Sequence, residues 1–236
     1  MEKMELYHIH KIGKYDKIWK EKKDIIISEN FKNGMLKRQN DFCLRIDTPY
    51  GNPINIHDYM AMVLQSIKNG EEISKEELEE ILSFAYHASF YGNMFKREAA
   101  LEDYRKDNRK NLPSRLHSIY FTDEKGIDYW IKALNAARYV LYRVEVEGNI
   151  FKTNEQLLPN ETLSYIDAYN NAYNYWNPNF KKVPDYTNEY LVQGKVKVLE
   201  KIEERFIWIF FYMFKLFEFN LLLSIWLTYI FIKKYK

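Results

Sequence analysis

The sequence predicts an α+β protein. Short β-branched and aromatic runs interleave with helical stretches, but without the strand–helix regularity that a parallel sheet requires. A chain of 236 residues, 47% hydrophobic and 29% charged, can bury a core of its own and is not a disordered composition. The single cysteine, Cys43, excludes a disulfide framework and a multi-cysteine zinc site, and reads as a small buried apolar residue.

Taken in order, Met4–His10 has strand length, and Asp24–Ser28 carries the β-branched run Ile25-Ile26-Ile27. Residues 29–54 hold turn chemistry in Asn33-Gly34, Thr48-Pro49 and Gly51-Asn52-Pro53. Tyr59, Met60, Val63, Leu64 and Ile67 recur at helical spacing, and Gly70 is placed to end that helix. Ser74 and Glu77 form a capping box for a second helix, whose stripe of Leu78, Ile81, Leu82, Ala85 and Ala88 is expected to be buried. This helix is expected to reach about Asn108, with an interruption or kink near Gly92 and a solvated charged face from Lys96 to Lys110. Leu116–Thr122 reads as a strand, and Asp123 as the N-cap of a helix carrying Ile127, Trp130, Ile131 and Leu134. Tyr139–Val146 alternates as a strand, and Glu161–Trp176 is a tyrosine-rich helix. Glu189–Ile202 reads as two strand segments joined at Gln193-Gly194.

The C-terminus differs from the body. Between Phe206 and Ile232 the polar residues are Lys215, Glu218, Asn220, Ser224 and Thr228. From Phe206 onward four lysines oppose Glu218, a charge of +3, which leaves −1 for residues 1–205 out of a total of +2. The near-neutral body argues against an electrostatic nucleic-acid binder. The opening residues are charged and show no signal peptide, so the expected location is cytoplasmic. The expected organisation is one domain, 1–204, with a helical insertion at about 55–108 and a hydrophobic tail, 205–236. Lys215 and Glu218 interrupt the tail, and Phe219–Ile232 alone is shorter than the about 20 residues of a membrane span. Three readings of Phe206–Ile232 stand: a C-terminal membrane helix, an interfacial helix, or a non-native frameshift extension.

Few residues carry chemistry. His8 and His10 point to one face of a strand and supply two potential metal ligands, but His57, His87 and His117 stand at no ligand spacing, so no metal is expected. There is no nucleophile elbow, P-loop or GxGxxG. Three segments say more together: Leu6-Tyr7-His8-Ile9-His10, then Ser118-Ile119-Tyr120-Phe121-Thr122-Asp123 with Asp128-Tyr129-Trp130 behind it, then Asn188-Glu189-Tyr190-Leu191-Val192.

In order and spacing these segments resemble the three motifs of ADP-ribosyltransferases, which split NAD and move ADP-ribose to an acceptor. The chain from about Met4 to Glu203, including Asn111-Leu112-Pro113-Ser114-Arg115, is also similar to an uncharacterised bacterial family of that fold. The resemblance implies a split β-sheet core with NAD as substrate. It implies Glu189 as the carboxylate that stabilises an oxocarbenium-like ribose. It implies His8 on the adenosine ribose, with Tyr120 and Tyr129 at the nicotinamide ring. Arg115 suits the pyrophosphate, because a guanidinium binds it bidentately. Ser118, where the poly-ADP-ribosyl branch has glycine, is assigned to the same cofactor site. Thr187, two before Glu189, argues against arginine as acceptor, and the choice between His8 and His10 stays open. The acceptor is left open between protein, nucleic acid and small molecule. The competing expectation is a catalytically inactive member of the fold that serves as a ligand- or protein-binding module.

Overall fold

The computed structural model describes residues 2–12, 18–41, 45–46, 54–135 and 138–206. In chain order the elements are β1 (Glu2–Lys11), β2 (Asp24–Ile27), α1 (Gly34–Asp41), β3 (Arg45–Ile46), β4 (Ile54–Asn55), α2 (Ile56–Lys68) and α3 (Lys75–Asn108). They continue with β5 (Ile119–Phe121), α4 (Ile127–Leu134), β6 (Arg138–Asn154), α5 (Tyr165–Trp176) and β7 (Asn188–Phe206). The architecture is α+β, as the sequence predicts. Cys43 and the tail beyond Phe206 lie outside the described residues. Among the described residues no helix is long and apolar enough to cross a membrane.

Two long antiparallel strands make the frame, with β6 and β7 paired from Arg138↔Phe206 to Asn154↔Asn188. β1 pairs with the free edge of β6, while β5 and β2 share the other edge of β7. The sheet curls far enough for β1 to meet the end of β5: Tyr7 and Thr122 exchange two backbone hydrogen bonds, of 2.8 and 2.9 Å. Register shifts next to Leu141/Tyr142 and Arg143/Val144 leave Ile202 and Leu199 as extra residues on β7, bulges that bend that strand. The two segments expected for β7 are one continuous strand, because Gly194 does not break it. Gly194 stands opposite Gly148 at φ +147°, and a Cβ there would lie 2.3 Å from the Glu147 carbonyl oxygen, so only glycine permits this close crossing.

Alternation along the strands divides the molecule. Leu6, Ile119, Phe121, Val140, Tyr142, Val144, Val146, Tyr190, Val192, Val196 and Val198 fill the concave interior with Ile27. The convex face is covered twice. α4 lays Ile127, Trp130, Ile131 and Leu134 on Tyr7, Ile9, Tyr139 and Leu141. The second half of α3 and α5 pack Leu101, Ala172, Tyr175 and Trp176 against Leu191 and Phe151. The Trp176 indole fixes that contact by donating to the Leu101 carbonyl at 2.9 Å. Asp123 precedes a 3-10 turn without a side-chain capping bond and accepts instead from the Tyr190 hydroxyl.

Three expectations are overturned locally. The turn region 29–54 contains α1, which Asn33 caps by accepting from the Leu36 amide at 3.0 Å. α3 runs through Gly92 as one helix, and its capping box of Ser74 and Glu77 is formed. Its burial is the reverse of the expected pattern: Leu78 and Leu82 are exposed, whereas Glu98 and Glu102 are buried. The reason is tertiary. Among the described residues the sheet and α5 meet α3 only beyond about Met94, where Met94, Ala100 and Leu101 are buried together with Glu98 and Glu102, while Leu78 and Leu82 stay exposed and Ile81, Ala85 and Ala88 half-buried.

Candidate functional site

The expected carboxylate, Glu189, is the second residue of β7 and points to the convex face beneath α5. Arg115 reaches it from a 3-10 turn, Arg115–His117, with Nη1 donating to Glu189 Oε1 at 2.8 Å. The same Nη1 contacts the Tyr175 hydroxyl, which in turn donates to Glu189 Oε1. The far side of the guanidinium is held by Glu98 from α3, with Nε donating to Oε2 at 2.7 Å. Arg97 supports Glu98 and carries a second bond, of 2.7 Å, to Glu161. Tyr120 and Tyr175 flank the guanidinium, with ring centroids 5.2 and 4.7 Å from its central carbon, and the Tyr120 hydroxyl donates to the Arg115 carbonyl.

The electrostatics follow from burial offset by charge pairing. Burial opposes the charge on Arg115, but Glu98, with Tyr120, Tyr175 and Glu189 around it, outweighs this and holds its pKa well above the ordinary value. Burial likewise pushes Glu98 up, and the Arg115 charge and hydrogen bond outweigh it, holding the carboxyl below its usual range. Burial raises Tyr120 and Tyr175, so both phenols stay neutral. Glu189 is 4% exposed. A buried carboxylate whose guanidinium partner is itself shared with a second carboxylate is a packed ionic core.

A second carboxylate lies next along α3. Glu102 accepts from Arg105 and, at 2.9 Å, from the Ser114 hydroxyl. The backbone before Glu189 is equally fixed: the Asn188 amide oxygen accepts from Asn154, and its carbonyl from the Trp130 indole at 3.0 Å.

His8 is on the other face. It points into the concave interior, stacked on Trp19 at 4.4 Å and beside Phe121. Its Nδ1 lies 2.8 Å from the Tyr120 carbonyl oxygen, which can only accept, so Nδ1 carries the proton and Nε2 accepts from His10 Nδ1 at 3.2 Å. Burial, and then the neighbouring His10, lower the His8 pKa to about 3, so the ring is neutral. Among the described residues no group of three metal-ligating side chains exists.

The placements can now be stated together. The structure brings Arg115, Tyr120 and Glu189 into one cluster. Ser118 is buried nearby with its hydroxyl unpartnered among the described residues. Tyr129 contacts Glu155 and Tyr186 at the rim, and burial with the Glu155 bond pushes its phenol up to about 12. His8 does not join them: even and odd positions of a strand face opposite ways, and β5 turns Phe121, not Tyr120, toward it. The sequence reading missed Glu98 and Tyr175. The available signal was spacing, since Glu98 continues the helical face of Met94 and Leu101, and Tyr175 that of Ala168 and Ala172.

The carboxylate is sealed, the Tyr120 ring lies against a guanidinium, and the histidine is across the sheet. Residues 6–204 match the family model described as "Protein of unknown function (DUF2441)". No curated protein matches the chain.

Proposed function

We propose that this chain, which belongs to the DUF2441 family, is a catalytically silent binding module built on an ADP-ribosyltransferase-like arrangement of strands. One observation carries the reading: Glu189 is held by Arg115 and Tyr175 beneath α5, with Arg115 held in turn by Glu98. A carboxylate that assists glycosyl transfer must face positive charge developing on a substrate ribose. Here that place is taken by a permanent cation. Withdrawing Arg115 would leave Glu189 with only the Tyr175 hydroxyl and Glu98 with only Arg97 in the interior, and breaking a buried pair in this way typically costs about 3–5 kcal/mol. The residues of the three motifs therefore serve the core, and binding falls to the surface, where α2 and the first half of α3 expose Met62, Leu64, Leu82 and Tyr86.

The enzymatic reading, NAD cleavage with transfer of ADP-ribose to an acceptor, draws on one different observation. The three motif strands adjoin, with β1 bridged to β5 and β5 paired to β7, so that Phe121 opposes Tyr190. One assay separates the two. Full-length protein incubated with NAD and varied acceptors is expected to release no nicotinamide above a blank. Turnover that Glu189→Gln lowers by about 10²–10³ would overturn the silent reading and establish the enzymatic one.

A further inference from the structure

We infer that the cleft between α5 and residues 156–163, which lead into it, binds an extended, uncharged peptide by its backbone. The site goes beyond the silent reading and stands apart from the surface of α2 and α3. The cleft measures about 240 Å³ and opens to solvent. At about 30 Å³ per water it has room for about eight waters, or roughly two residues of chain.

The lining selects by charge. None of the eight described residues around the cleft is charged, in a chain of which 29% is, so a charged ligand meets no counter-charge there. Four carboxamides supply the polar groups: Gln156 and Asn160 on one wall, Asn171 and Asn174 on α5. The remainder is apolar and tied to the core. Leu157 and Leu158 pack on the cluster of Leu101, Tyr175 and Trp176, and Pro159 is buried.

Existing hydrogen bonds decide what two of the carboxamides have left to offer. Asn160 Oδ1 accepts from the Thr162 amide at 2.9 Å and from the Thr162 hydroxyl at 2.8 Å, which fills both lone pairs and leaves the N–H donors. Asn171 Nδ2 donates to the Asp167 carbonyl at 2.8 Å, which leaves Oδ1 as its unused acceptor. The backbone partners fix both orientations, since an amide N–H only donates and a carbonyl only accepts. Gln156 and Asn174 side chains make no hydrogen bond among the described residues and keep both functions. One wall therefore offers a donor and the facing wall an acceptor.

A trans peptide unit carries its C=O and N–H on opposite edges. Laid along the cleft, one unit accepts from Asn160 and donates to Asn171, with an aliphatic side chain on the leucine and proline surface. A sugar hydroxyl both donates and accepts, so it gains nothing from this division, and no aromatic ring lines the cleft for a sugar to stack on. The walls are held in advance: the Leu158 amide donates to the Glu155 carbonyl at 3.0 Å, and the Leu163 amide to the Asn160 carbonyl at 3.2 Å. Little ordering then opposes binding.

The test titrates N-acetyl-leucine N-methylamide into the full chain labelled with nitrogen-15. The side-chain N–H resonances of Gln156, Asn160, Asn171 and Asn174 should shift together and saturate, at a Kd of about a millimolar for so small a ligand. Of two ester analogues, each with one N–H replaced by oxygen, one should bind about 2- to 10-fold more weakly to the native chain and no more weakly to Asn171→Ala. Asn160→Asp keeps the acceptor for Thr162 and removes the donor, so it should weaken the peptide by at least as much at an unchanged urea midpoint. No saturable shift, shifts confined to residues outside the cleft, two ester analogues that bind as well as the amide, or tighter binding of glucose than of the peptide would each overturn the inference. None of these outcomes bears on NAD turnover, so failure here and failure of the silent reading are distinguishable.

Discussion

Up to Gly92, α3 sets Leu78, Leu82, Tyr86 and Phe90 against solvent, and beyond Met94 the same helix buries Glu98 and Glu102. Both halves are continuous α-helix of ordinary propensity, so secondary structure does not distinguish them. Neighbours do. The second half is seated on the sheet and α5, where each carboxylate meets arginine: Glu98 meets Arg115 and Arg97, and Glu102 meets Arg105. Among the described residues the first half meets no such layer, and Leu78, Leu82, Tyr86 and Phe90 are exposed along it. Burial here follows the position of the sheet, and composition follows only where a partner charge makes burial affordable.

The largest effect expected from breaking this contrast is at the centre of the ionic core. Arg115→Met roughly keeps the volume and removes the charge, which leaves Glu189 buried with no cation and Glu98 with Arg97 alone. Urea denaturation should show a loss of about 3–5 kcal/mol. A loss below about 1 kcal/mol would mean that the carboxylates find other partners or water.

Next is Leu101, fully buried between α3 and α5. Leu101→Ala should cost about 2–5 kcal/mol, through lost transfer energy and the cavity left behind, read as a lower urea midpoint. A near-neutral result would place the second half of α3 outside the cooperative core.

A pH effect of intermediate size belongs to the concave interior. The folded His8 pKa of about 3 lies below the ordinary value of 6.5, so unfolding takes up a proton between them. Stability is then full above about pH 6.5 and falls as pH drops, by up to about 1.4 kcal/mol per pH unit. Glu98, whose folded pKa is lowered, adds its own loss further down: its contribution is complete above the carboxylate range and disappears as pH falls through its folded value. In His8→Gln the slope between pH 6.5 and 4.5 should flatten while the steeper acid loss remains. An unchanged slope would assign the titration to another group.

The smallest effect sharpens the comparison from the other end. Leu82→Ala should change stability by no more than about 0.5 kcal/mol. The contrast with Leu101→Ala, the same substitution in the same helix, is the direct measure of how far one half is packed and the other is not.

Local features were legible before the fold. The α+β class, the capping box of Ser74 and Glu77, the alternation of Val140, Tyr142 and Val144, and the Ile25–Ile27 strand all depend on neighbours within a few residues, which pattern and propensity report. The candidate site was legible in part, because Arg115, Tyr120 and Glu189 do meet although they lie far apart in the chain. Only the tertiary structure decided the rest. His8 and Tyr120 are adjacent through a hydrogen bond yet serve opposite faces, and that follows from how β1 and β5 meet in register, which no single segment encodes. Whether Leu82 or Glu98 is the buried residue of α3 was settled by where the curled sheet ends, since burial is a property of the pair of surfaces and not of either sequence alone.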